Sequence, residues 1–155
     1  MEHVIEKFYN AFKNLDAESM VSFYHEDIVF KDPAFGVLKG NRAKNMWRML
    51  CESQKNKDFQ VTFSNINVSE YESSASWEAF YTFSKTGRKV HNIIEARFEF
   101  KDGKIIKHTD SFNLYRWSKQ ALGLKGFVMG NTKYFRNKLK AQTNRLLDKY
   151  EKKQS

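Results

Sequence analysis

The sequence predicts an α+β domain in which three N-terminal helices cover a strongly curved, mostly antiparallel sheet, with a C-terminal helical extension. Three observations predict it. Apolar residues recur at helical spacing as far as Gln54, and from Phe59 the period changes to two. A chain of 155 residues is also long enough to bury the core that such layers need, and it suits one domain.

Val4, Ile5, Phe8, Phe12 and Leu15 define the first amphipathic helix. Asp16 is the expected N-cap of a second, short helix. A strand around Ile28 to Phe30 leads into Asp32-Pro33-Ala34-Phe35-Gly36, where the only proline fixes a turn and the glycine allows an unusual backbone angle. The next helix, NRAKNMWRMLCESQ, carries Met46, Trp47, Leu50 and Cys51 as its apolar stripe. Phe59, Val61 and Phe63 then alternate with polar residues, and Ala75, Trp77, Ala79, Tyr81 and Phe83 form the next inward row. The following strand sets Val90, Ile94, Ala96, Phe98 and Phe100 inward and His91, Glu95, Arg97 and Glu99 outward. Lys101-Asp102-Gly103 is a hairpin turn of Asp-Gly type.

The stretch GKIIKHTDSFNLYRWSKQALG carries the chemistry. Read as a strand from 105 to 116, it places Ile106, His108, Asp110, Phe112 and Leu114 on one apolar face. An aspartate and a histidine two residues apart in such a layer are costly, because a buried carboxylate needs a partner or a raised pKa. Asp110 and His108 are therefore candidate catalytic groups, the alternative being a structural carboxylate satisfied by His108, Tyr81 or a tryptophan N–H. After Trp117 a short helix is expected to end at Gly123. Gly126 and Gly130 then read as a flexible apolar loop, followed by a helix with Tyr134, Phe135, Leu139, Gln142, Leu146 and Tyr150 along one side.

The net charge of +9 raises nucleic acid as a partner. Its distribution argues against one, since the excess lies mostly on the last helix and no RNA-binding motif accompanies it. Scattered histidines without a carboxylate cluster exclude a metal site, and no dinucleotide or phosphate fingerprint calls for a cofactor. The single cysteine, Cys51, rules out an internal disulfide. With no signal-like or membrane-length apolar run, the expectation is a soluble cytoplasmic protein without membrane contact.

The run FYNAFKNLDAESMVSFYHEDIVFKDP resembles the N-terminal part of NTF2-like proteins, and HTDSFNLYRWSKQALG resembles the end of their SnoaL-like polyketide cyclase branch. The resemblance covers residues 2–123 and implies the NTF2-like cone. A domain over 1–123 and a loop with a basic amphipathic helix over 124–155 follow from it. Limonene epoxide hydrolase and ketosteroid isomerase share the fold. Asp32 matches the isomerase's general base, but Phe8 and Ala96 stand at its two oxyanion-donor positions. Asp110 matches the hydrolase's second aspartate, but Trp77 and Ala79 stand at its arginine and first aspartate. Asp110 also matches the one aspartate on which the cyclases rely. The resemblance thus implies Asp110, His108 and Asp32 as catalytic candidates. Phe8, Phe12, Phe35, Met46, Leu50, Trp77, Tyr81, Phe98 and Phe112 would form a pocket for a small apolar molecule. It further implies a homodimer through the outer sheet face, where Glu95, Arg97 and Glu99 would pair. A non-catalytic carrier or interaction module is the alternative.

Overall fold

The computed structural model describes all 155 residues. Helices α1 (Glu2–Lys13) and α2 (Ala17–Ser22) open the chain, and the Asp16 side chain caps α2 by accepting the Ser19 N–H at 3.1 Å. Strand β1 (Tyr24–Asp32) and the short β2 (Gly36–Lys39) precede α3 (Asn41–Gln54). Strands β3 (Gln60–Asn67), β4 (Ser73–Phe83), β5 (Arg88–Lys101) and β6 (Lys104–Ser111) follow. Helices α4 (Leu114–Leu122), α5 (Leu124–Met129) and α6 (Lys133–Gln154) complete the chain. The strands form one curved six-stranded sheet in the order β2-β1-β6-β5-β4-β3. All neighbours are antiparallel except β1 and β6, which run parallel.

This is the expected α+β, NTF2-like cone, with several local differences. Residues 36–39 form a strand that the turn signal concealed, because it is stabilised by pairing with β1 and not by its own pattern. In β6 the pairing skips one residue: Phe100 faces Ile105 while Glu99 faces Lys107. This bulge at Ile106 makes Ile105, not Ile106, the fully buried residue, and alternation resumes with His108 and Asp110 inward. The strand also stops at Ser111. The Asn113 side chain accepts the Arg116 N–H at 2.9 Å and starts α4, so Leu114 lies on a helix and not on the strand face. On β5, Asn92 shares the inward face with Val90 and Ile94. The hairpin at Asp102-Gly103 has positive φ at both residues (53° and 76°), as its sequence requires.

The segment expected as a flexible loop is helix α5. Its glycines serve close approach and not mobility, since a Cβ at Gly126 would collide with the Ser118 carbonyl of α4 and one at Gly130 with the Ser118 hydroxyl. The outward Glu95, Arg97 and Glu99 find partners within the chain: Ser76 for Glu95, Glu72 for Arg97 at 3.8 Å and Lys107 for Glu99 at 3.4 Å. No helix is long and apolar enough to cross a membrane.

Helix α6 lies back across the domain. Arg42 of α3 pairs with Asp148 at 2.8 Å and Glu151 at 2.5 Å, and Leu147 is fully buried. Thr143 donates to the Ala34 carbonyl at 2.8 Å and Asn144 to the Phe35 carbonyl at 3.0 Å, clamping the turn after Asp32.

The close α4–α5 contact gives the first test. Gly126→Ala should destabilise the protein by about 1–3 kcal/mol through overpacking. Gly87→Ala, where nothing lies within 4 Å of the added carbon, costs only the strain of a positive φ. Thermal denaturation of both variants checks the ranking.

Candidate active site

The site is built on β6, whose inward residues His108 and Asp110 are 0% and 5% exposed. His108 sits in a box of rings. Phe30 meets it edge-on at 5.1 Å, Phe98 lies at 4.5 Å, Phe8 at 5.6 Å, and Trp47 stacks at 6.0 Å. An imidazole in such a box must hydrogen-bond through both nitrogens. Nδ1 lies 2.7 Å from the Tyr24 hydroxyl and Nε2 lies 2.9 Å from Asp110 Oδ1.

The direction of these bonds follows from their far end. The Trp47 indole N–H is purely a donor, and it reaches the Tyr24 oxygen at 2.8 Å. Tyr24 therefore uses its own proton on His108 Nδ1, and the imidazole proton sits on Nε2, donated to Asp110. Every hydrogen in the chain Trp47–Tyr24–His108–Asp110 then finds an acceptor. Burial, opposed by the Trp47 bond, pushes the Tyr24 phenol well above its ordinary value, which suits a hydroxyl that keeps its proton. The Trp77 indole donates a second bond to Asp110 Oδ1 at 3.3 Å. Oδ2 takes no bond from the protein and faces the cavity.

That cavity has a volume of about 580 Å³ and is mainly apolar. Among the expected wall residues, Phe12, Phe35, Met46 and Leu50 line it from the helices and the turn after Asp32. Trp77, Tyr81 and Phe112 line it from the sheet and its end. Phe8 and Phe98 do not. Both are buried behind the floor against His108, because the curvature of the sheet turns their side chains into the core. His108 is likewise behind the floor and touches the cavity only through Asp110.

Asp32 reaches the same cavity from the end of β1. Its Oδ1 accepts the N–H groups of Ala34 at 3.0 Å and Phe35 at 2.6 Å, which closes the proline turn. Burial nevertheless raises its pKa from 3.8 to about 7; the Phe35 N–H opposes the shift and the Asp110 carboxyl adds to it. Two carboxyl groups thus face one apolar space. No group of three or more His, Cys, Asp or Glu side chains is arranged to hold a metal ion.

Sequence reading missed Asn92, and it placed Tyr81 and the α6 face without showing what they do. Asn92 brings an amide to the cavity wall. Tyr81 accepts the Trp117 indole N–H at 2.8 Å, and its own hydroxyl proton has no protein acceptor, so it can donate into the cavity. Helix α6 supplies the roof through Leu139, Gln142, Leu146 and Tyr150, a face that its spacing had marked without saying what it covers.

The SnoaL-like domain family model matches residues 5–108. The chain belongs to the SnoaL-like domain family. No curated protein sequence is similar enough to match it. Among solved structures, this SnoaL-like protein is similar to a limonene epoxide hydrolase (LEH)-like epoxide hydrolase from M. tuberculosis, with 22% identity and a TM-score of 0.62 over 81% of this chain and 92% of that one. It is also similar to a protein assigned as a polyketide cyclase from Xanthomonas campestris pv. campestris, with 18% identity and a TM-score of 0.61 over 76% and 93% of the two chains. An NTF2-like protein of unknown function from Burkholderia pseudomallei shares 12% identity and a TM-score of 0.65 over 77% and 95%. At these identities the neighbours show the shared fold. The family match ends two residues before Asp110 and does not reach α6.

Two outcomes test this geometry. Because the folded pKa of Asp32 is raised, the native state holds a proton that the unfolded chain releases, so Asp32 lowers stability progressively as pH rises from about 4 to about 7. Asp32→Asn keeps the acceptor for Ala34 and Phe35 and should abolish that part of the slope, which denaturant unfolding across this range will show. Tyr24→Phe orphans His108 Nδ1 and leaves the Trp47 N–H unpaired; it should cost about 1–3 kcal/mol per unsatisfied group in the same measurement.

Proposed function

We propose that this SnoaL-like protein is an isomerase or cyclase that moves a proton on a small, apolar carbonyl compound, with Asp110 as general acid/base. The observation that supports this most is the asymmetry of the Asp110 carboxyl. One oxygen is saturated by His108 and Trp77, while the other faces an apolar cavity of about 580 Å³. A base held this way has a fixed lone pair and needs no reorganisation to accept a proton.

In this reading Oδ2 of Asp110 removes a proton from carbon next to the substrate carbonyl, and the negative charge develops on the carbonyl oxygen. His108 does not touch the substrate; its Nε2–H stays on Oδ1 and directs the incoming proton to Oδ2. Asp32 and Tyr81 are the groups able to donate a hydrogen bond to the developing oxyanion. Asp32 suits this because its raised pKa keeps a proton available near neutrality. Asp110 then returns its proton to a second carbon of the substrate, or the carbanion closes a ring on a second carbonyl and the alkoxide so formed takes the proton back from Asp110. Residues 1–123 make the domain that does this, residues 124–155 close it, and a cytoplasmic homodimer joined by outer sheet faces remains the expected assembly.

The second reading is a non-catalytic carrier or interaction module. It is favoured by Phe8, Ala96, Trp77 and Ala79, which stand where the isomerase and hydrolase of this fold carry catalytic groups.

The readings separate in solvent deuterium exchange, followed by NMR, into a panel of apolar enolisable ketones and diketones. Catalysed exchange that falls by about 100-fold or more in Asp110→Asn, with ligand affinity retained, supports the enzyme. Binding without exchange, equal in wild type and Asp110→Asn, supports the carrier.

A further inference from the structure

The outer part of the cavity carries charge of one sign. Lys57 beyond α3, Lys85 in the turn between β4 and β5, and Lys149 and Lys153 near the end of α6 all line it, and all four are exposed. None takes part in an ion pair; the lysines that do are Lys89 and Lys107. The only carboxylates lining the cavity are Asp32 and Asp110. Helix α6 does carry acids beside these lysines, but Asp148 and Glu151 are turned to its other face and held by Arg42. A solvated helix face mixes both signs and belongs to one element. Here three separated segments bring unpaired ammonium groups to the lining of one cavity, and no carboxyl group other than Asp32 and Asp110 joins them there.

Resting on the reading of the cavity as a ligand site, we infer that its ligand is an amphipathic carboxylic acid whose anionic head is held by Lys57, Lys85, Lys149 and Lys153. The apolar body, with its carbonyl, then extends toward Asp110. This orientation is set from both ends, because the lysines attract the head while the Asp110 carboxylate repels it. The opening favours a carboxylate over a phosphate. It presents exposed point charges, with no arginine among the lining residues to grip a phosphate in bidentate fashion. Part of the net charge of +9 is thereby a selectivity device, two of whose four lysines, Lys149 and Lys153, stand on α6 beyond the segment that the family model matches.

The test is displacement of the neutral fluorophore N-phenyl-1-naphthylamine from the full chain by decanoate and, separately, by decanol. In the quadruple variant with Lys57, Lys85, Lys149 and Lys153 each changed to Gln, the decanoate inhibition constant should rise about tenfold, as expected for several exposed charge contacts acting together. Dye affinity and the decanol constant should stay as in wild type. Added salt should weaken decanoate and spare decanol. A control with Lys7, Lys101, Lys104 and Lys125 changed to Gln alters the net charge equally and should leave decanoate unchanged. An unchanged decanoate constant in the first variant, or an equal rise in the control, overturns the anionic ligand while the cavity stands as a binding site. A fluorophore that does not bind wild type at all overturns the cavity reading itself, and this inference with it.

Discussion

The cavity floor depends on a solved problem of hydrogen bonding: how to hold a carboxyl group behind a wall of aromatic rings. Asp110 is 5% exposed and His108 is not exposed at all, so each polar atom there must be paired inside the protein or face the cavity. The solution begins at an indole, because Trp47 N–H can only donate. With that one-way group on its oxygen, Tyr24 leaves no hydrogen of the chain without an acceptor when it donates to His108 and His108 donates to Asp110. The aromatic residues therefore do more than fill space. They exclude water from the chain and leave Oδ2 as the Asp110 oxygen that meets the cavity.

The same device occurs at the wall. Trp117 occupies the oxygen of Tyr81 as Trp47 occupies that of Tyr24, and each tyrosine is thereby made a donor. One donates inward to an imidazole, while the other is left facing the cavity. Asp32 complements them, since its oxygen is held by two backbone N–H groups and burial still raises its pKa to about 7. The site thus offers a carboxyl acceptor on one strand and proton donors on two others. This is the division of labour that the proposed proton transfer at carbon needs.

Much of this was legible in the sequence, for reasons that can be named. Alternation put His108 and Asp110 on the inner face because they lie on one regular run of β6. It failed at Ile106 because a bulge is a property of strand pairing that neither strand shows alone. Gly126 and Gly130 read as breakers because glycine is usually free backbone, whereas here Ser118 leaves no room for a side chain. Phe8 and Phe98 belonged to the right faces but to the wrong depth, which curvature decides. The hydrogen-bond roles of Tyr24, Trp47 and Trp117 had no signal in spacing, since their partners come from distant elements. The spacing of Leu139, Gln142, Leu146 and Tyr150 marked a face on α6, and only tertiary structure says that it roofs a cavity.

The parallel pairing of β1 with β6 has a consequence for how the protein folds. Strands β4, β5 and β6 are joined by short connections and can zip as local hairpins, but Tyr24 and His108 are 84 residues apart in sequence. Closing so long a loop is entropically slow, so β1 is expected to dock after the hairpins have formed. Until it does, His108 lacks its Tyr24 partner, Trp47 has nothing to donate to, and Asp32 is not yet beside Asp110. Site formation and the last long-range step of folding are then one event, and a partly folded chain carries the residues of the site without its chemistry.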